Sequence, residues 1–205
     1  MYVDFSDDAA TGAVPASSPP AQAAPDEALI ARIAGHDRDA MRALYLRYNV
    51  RVYRFALRLV RNDTVAEDVV SDVFLDVWRQ AGSFEGRSAV STWLLAIARF
   101  KALSVLRRKP EDELTEERAA VLADPMDDPE TAVGKIDTGA ILRQCLKSLS
   151  REHREVIDLV YYHEKSVEEV AEIVGIPEAT VKTRMFYARK KLSGMLKAAG
   201  VDRPW

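Results

Sequence analysis

The stretch "SVEEVAEIVGIPEATVKTRMFYARKKL", residues 166–192, decides how the C-terminal half of the chain folds. Ser166 and Glu169 have the spacing of a capping box, in which a hydroxyl and a carboxylate satisfy backbone N–H groups at a helix start. Val167, Val170, Ala171 and Val174 give the helix that follows an apolar face. Gly175 suits the left-handed position that ends a helix, and Pro177 suits the first turn of the next. Helix, short glycine turn, second helix is the helix-turn-helix pattern. In the second helix Val181, Met185, Ala188 and Leu192 recur at steps of four, three and four and are expected to face the core.

That leaves Lys182, Thr183, Arg184, Phe186, Tyr187, Arg189 and Lys190 largely outward, with Thr180 at the helix start. Residues 180–192 hold five cations and no anion, in a chain whose formal charge is −3. Arginine and lysine neutralise phosphates, whereas residues near the helix N-terminus reach base edges in the major groove. Exposed aromatics there suit contact with thymine methyls. A basic, solvated helix on a bundle is the competing reading. The cap, glycine turn and proline restart together favour duplex DNA.

Working outward, residues 110–130, "PEDELTEERAAVLADPMDDPE", hold nine acidic residues, one arginine and three prolines. This composition reads as a flexible acidic linker, taken as 110–135. It separates two helical blocks, 26–109 and 136–197, with tails at 1–25 and 198–205. The expected fold is all-α: two small helical domains, the second carrying the helix-turn-helix. In the first block Met41, Leu44, Tyr48, Val52, Phe55 and Leu59 mark one face of a long helix. Thr64 and Glu67 are spaced as a second capping box for a helix running to about Gln80. A Gly-flanked loop follows, and then a helix from about Ser91 to Arg108 with Leu95, Ala98, Ala102 and Val105 inward.

Two surfaces stand out in that block. Asp68, Asp72, Leu75 and Arg79 form a stripe separate from the apolar face of their helix, equally compatible with a partner surface and with an ordinary wetted face. The segment from Arg99 to Lys109 carries five basic residues and no acid, beside a loop with Ser83, Phe84, Glu85 and Arg87. A basic helix beside an aromatic-bearing loop suits single-stranded nucleic acid, where bases stack and phosphates meet cations. Trp93 reads as core more readily than as a stacking platform.

The remaining features narrow the class. No apolar run approaches the ~18 residues of a membrane span, so no membrane insertion is expected. The N-terminal "MYVDFSDDAATGAVPASSPP" lacks the basic and apolar regions of a signal peptide. Cys145 is the single cysteine, and His36, His153 and His163 are scattered, so neither a disulfide framework nor a metal site is expected. A cytoplasmic protein without cofactors follows. No nucleophile–base pair or phosphate loop supports an enzyme.

Three segments, in order, resemble the extracytoplasmic-function (ECF) sigma factors, alternative subunits of bacterial RNA polymerase. "AEDVVSDVFLDVWRQ" (66–80) resembles their core-polymerase-binding helix. "FEGRSAVSTWLLAIARFKALSVLRR" (84–108) resembles their promoter-melting and −10 element segment, and residues 149–192 their −35 element domain. The resemblance implies that Asp68, Ser71, Asp72, Leu75 and Trp78 dock on core polymerase. It implies that Ser83, Phe84, Arg87, Val90, Trp93, Arg99, Phe100, Lys101, Arg107 and Arg108 hold the melted −10 strand, capturing an extruded base. Thr180, Lys182, Thr183, Arg184, Phe186, Tyr187, Arg189 and Lys190 would read the −35 duplex. An anti-sigma factor is an implied further partner. The chain departs from the family pattern at Phe100, where Asn is frequent, and at Val90, where an aromatic is common; both bear on the preferred −10 base. The alternative reading is a stand-alone helix-turn-helix regulator whose N-terminal helices only dimerise.

Overall fold

The computed structural model describes residues 23–108 and 138–201. They form eight α-helices: α1 (Asp26–Ala34), α2 (Arg38–Val60), α3 (Asp63–Gln80), α4 (Val90–Arg108), α5 (Thr138–Lys147), α6 (Arg151–Tyr161), α7 (Val167–Val174) and α8 (Glu178–Ala198). A 3-10 turn, Ala81–Ser83, follows α3. The chain is all-α among the described residues. The acidic linker and most of the N-terminal tail lie outside them. Ala24, expected in that tail, is instead buried, and its carbonyl accepts from Arg47 Nη2 at 3.1 Å.

α1 to α4 close around one apolar centre. α2 contributes Leu44, Val52 and Phe55, α3 contributes Val69, Val73 and Val77, and α4 contributes Leu94, Leu95 and Ala98, each at or below 1% exposure. At ~1.5–3 kcal/mol for each large apolar side chain removed from water, this cluster dominates the stability of the group. The start of α3 differs from the expected one. Asn62 is the N-cap, its side chain accepting from Val65 N at 3.0 Å, and Thr64 lies inside the first turn. Asn is among the best N-caps, and starting there also places Asp63 in the first turn, where its charge favours the helix dipole.

The second group packs α5, α6 and α7 around α8. The Ser166–Glu169 capping box is present with both of its hydrogen bonds. Gly175 takes φ 69°, a left-handed conformation that strains any residue with a Cβ, and its N–H donates to Ala171 O at 2.8 Å. Pro177 is the N-cap of α8, one residue before the first turn expected of it. Val181, Met185, Ala188 and Leu192 are all buried, and Cys145 packs among them as a small core residue.

The two groups do not stand apart. α7 packs on α4 and α6 reaches α2, so the cores merge into one cluster. The seam carries most of the molecule's buried polar groups: Ser91, Thr92, Glu155, Asp158, His163 and Lys165.

Candidate nucleic-acid interface

α8 carries the first surface. Because Val181, Met185 and Ala188 point inward, the helix turns Lys182, Thr183, Phe186, Tyr187, Arg189 and Lys190 to solvent. Phe186 and Tyr187 are 57% and 53% exposed and meet edge to face at 5.4 Å. Two large exposed aromatics among cations leave apolar area wetted, which is what a base-edge reader offers. Thr183 Oγ1 donates back to Ala179 O at 2.9 Å, and Lys182 Nζ pairs with Glu178 at 3.3 Å, both within α8. Thr180 and Arg184 are half-buried. Arg184 also bears on Glu152 of α6. The Glu152 carboxyl is held low by hydrogen bonding to its own backbone N–H and to Ser150, with Arg184 and Arg151 adding to the effect. Lys191, the fifth cation, is committed elsewhere, donating to Ser148 O at 3.0 Å at the end of α5.

The second surface is α4 with the loop before it. Phe84 and Trp93 are half-buried and stack tilted at 5.0 Å, so the loop's aromatic leans on the helix and fixes its path. Ser83 Oγ donates to Gln80 O at 2.8 Å. Arg87 is exposed and ion-paired with Glu85. Phe100 is 64% exposed, and Arg107 and Arg108 are exposed at the helix end. Lys101 pairs with Asp76 of α3 at 2.7 Å. Val90 is a correction to the expected strand-holding set: at 1% exposure it begins the inward face continued by Leu94 and Ala98, and it reaches no surface. Arg99 faces the other way, its Nε donating to Glu155 Oε1 at 2.6 Å across the seam.

The third surface is on α3. Asp68, Ser71 and Asp72 are exposed, and Leu75 is 44% exposed beside them. Trp78 is half-buried, 5.5 Å from the His36 ring. The stripe read from periodicity is therefore a contiguous outward face with one wetted leucine.

Sequence reasoning missed the seam itself. Lys165 Nζ donates to Ser91 Oγ at 2.6 Å, Thr92 Oγ1 at 2.9 Å and Glu169 Oε1 at 2.7 Å, using all three of its protons. Thr92 Oγ1 in turn donates to Glu169 Oε1 at 2.5 Å. Desolvation acts to raise the Glu169 carboxyl, but hydrogen bonds from Lys165, Thr92 and Ser166 prevail and hold it at about 2. Arg58 pairs with Asp158, and its guanidinium lies over the Tyr162 ring at 3.9 Å. His163 packs edge to face on Phe55 at 5.4 Å. Burial, reinforced by Arg58, Arg51, Lys165 and Arg54, lowers its imidazole to about 3, so it is neutral.

The Sigma-70 region 2 family model matches residues 44–110, and the Sigma-70 region 4 model matches residues 139–192. The ECF RNA polymerase sigma factor SigK of Mycobacterium sp. (strain JLS) is 32% identical over 179 residues, 86% of this chain and 91% of its own length. The chain belongs to the ECF RNA polymerase sigma factor family. SigK of Mycobacterium tuberculosis (strain ATCC 25177 / H37Ra) is 30% identical over 88% of this chain and 98% of its own. Among solved structures, CnrH in complex with the cytosolic domain of CnrY superposes with a TM-score of 0.61 at 26% identity, covering 84% of this chain and 97% of that one. RpoE in complex with the anti-sigma factor NepR from Bartonella quintana gives 0.59 at 28% identity, covering 79% and 98%. The sigma factor thus carries region 2 on α2–α4 and region 4 on α5–α8, and the stand-alone regulator reading falls away. As a family, sigma factors are transcription initiation subunits that bind core polymerase and promoter DNA. No helix among the described residues is long and apolar enough to cross a membrane.

Proposed function

We propose that this sigma factor docks on core polymerase through the α3 face of Asp68, Ser71, Asp72, Leu75 and Trp78. On this reading α8 reads the −35 element, while the Ser83–Arg87 loop and α4 hold the melted −10 strand. The observation that carries it is the exposure of Phe186 and Tyr187 amid Lys182, Arg189 and Lys190, on a helix whose opposite face is fully buried. A protein folding for stability alone gains nothing from leaving two aromatics in water.

The domains follow the same division: 26–109 for region 2, 136–197 for region 4, with the acidic segment as tether. The factor supplies no catalytic residue, and the polymerase performs the chemistry. It works in the cytoplasm. Regulation by an anti-sigma factor is supported by the likeness to RpoE, whose structure was solved with NepR. Run-off transcription by purified core polymerase plus this chain, on a promoter library, tests the whole reading. Transcripts that start downstream of one shared pair of elements are expected. Transcription no greater than that of core polymerase alone would reject it.

A further inference from the structure

The long helix α2 carries six arginines and one aspartate, in a chain whose net charge is −3. Arg47, Arg51, Arg54 and Arg58 recur at steps of four, three and four, which places them along one helix face. From Arg51 to Arg58 this row spans about 10 Å. Its ends are engaged: Arg47 pairs with Asp26, and Arg58 with Asp158. Arg51 and Arg54 make no ion pair among the described residues. Arg51 is half-buried and Arg54 exposed, and the positive charge of both, with that of Arg58, is felt at His163.

Two carboxylates of α6 sit on this basic ground. Glu155 and Asp158 are 5% exposed each and lie one helical turn apart. Asp158 takes Arg58 of α2, and Glu155 takes Arg99 of α4, whose Nε and Nη2 donate to its two oxygens at 2.6 and 3.4 Å. Arg58 and Arg99 therefore belong to one surface that crosses from α2 to α4, and α6 delivers an acid to each. A fork of guanidinium donors recognises carboxylate and phosphate by the same geometry.

We propose that Arg51, Arg54 and Arg58 of α2, with Arg99 of α4, form a track for the phosphodiester backbone of promoter DNA, and that Glu155 and Asp158 of α6 occupy that track in the closed chain. This rests on the reading of α4 as a promoter-binding helix and extends it to a helix that reading leaves unused. Region 4 must lift α6 away before the track can be filled. The upstream and downstream elements are then engaged together, because α8 packs on α6 and α7 and moves with them when Arg58 and Arg99 are freed.

The test is an anisotropy titration of the full chain with labelled oligonucleotide across a salt series, in a single-stranded arm and a duplex arm. Each phosphate contact contributes about 0.7 to the log–log salt slope on a single strand and about 0.9 on duplex. Glu155→Gln with Asp158→Asn should tighten binding and steepen the slope by about 1.4 or 1.8, for two freed arginines. In that background Arg51→Ala with Arg54→Ala should remove the same amount, and the arm in which this happens identifies the strand bound. An unchanged slope in both arms overturns the track. If the acid-neutralised variant fails to fold, Arg51→Ala with Arg54→Ala is assayed in holoenzyme with core polymerase. Shorter-lived promoter complexes at raised salt support the track, and unaltered lifetimes overturn it. Lys190→Ala serves as reference. Weakened duplex binding by Lys190→Ala beside an inert arginine pair rejects the track alone, whereas two inert variants reject the promoter-binding reading too.

Discussion

His163 shows how one buried side chain ties the fold to pH. Its imidazole titrates at about 3 in the folded protein against 6.5 when free, because burial and the surrounding arginines oppose a second proton. Above pH 6.5 both states are neutral and the group has no effect. As pH falls from 6.5 toward 3 only the exposed state takes up a proton, so stability is lost on acidification, by ~1.4 kcal/mol per unit. Urea unfolding at pH 7.5 and 5.5 should show a decrease of about that size, and His163→Phe should flatten it. Glu169, held at about 2, adds a second loss that begins only below about 4.5. Arg184 poses a different question, since it is half-buried beside Glu152 and still lies in the groove-entering part of α8. Arg184→Ala should cost roughly 1–3 kcal/mol in affinity and relax base preference. Lys190→Ala should weaken all duplexes alike. Affinity for matched and scrambled −35 elements separates the two effects. Retained discrimination in Arg184→Ala would remove that residue from base reading.

At the level of helices, the α3 face makes the sharpest prediction. Asp72→Lys with Leu75→Ala touches only wetted side chains, so the far-ultraviolet circular dichroism should stay as it is while binding to core polymerase weakens. Undiminished assembly in a fluorescence titration would exclude this face. The helices themselves were legible in the sequence because burial repeats with the 3.6-residue period. Val181, Met185, Ala188 and Leu192 were found that way, and the Ser166 box by its fixed spacing. Boundaries were less legible. Asn62 competes with Thr64 for the same cap, and the choice falls on whichever residue has extended backbone, at φ −147° and ψ 123° for Asn62. Val90 lies in the segment expected to bind the melted strand, yet the period of Leu94 and Ala98 carries it inward. The seam was not legible at all. Thr92 and Glu169 are 77 residues apart, Arg99 and Glu155 are 56 apart, and no periodicity links single residues across such intervals.

For the molecule as a whole, the acidic segment 110–130 bears on how readily free factor meets DNA. Neutralising Glu111, Asp112, Glu113, Glu116 and Glu117 should raise promoter-independent DNA binding at low salt, where repulsion reaches beyond the ~8 Å of physiological screening. Equal binding across a salt titration would leave the segment a plain spacer. The ammonium of Lys165 has a kinetic consequence. Its three acceptors come from both groups of helices, Ser91 and Thr92 on one side and Glu169 on the other. Half-opening would leave the ammonium with Glu169 but without the hydroxyls of Ser91 and Thr92, at a cost of ~1–3 kcal/mol while water has not yet replaced them. Intermediate openings are therefore disfavoured, and the chain behaves as shut or open with a barrier between. A ligand that needs the open form must wait for it. In stopped-flow mixing, the observed association rate should climb with ligand concentration and then level off at a ceiling, and that ceiling is the opening rate of the protein alone.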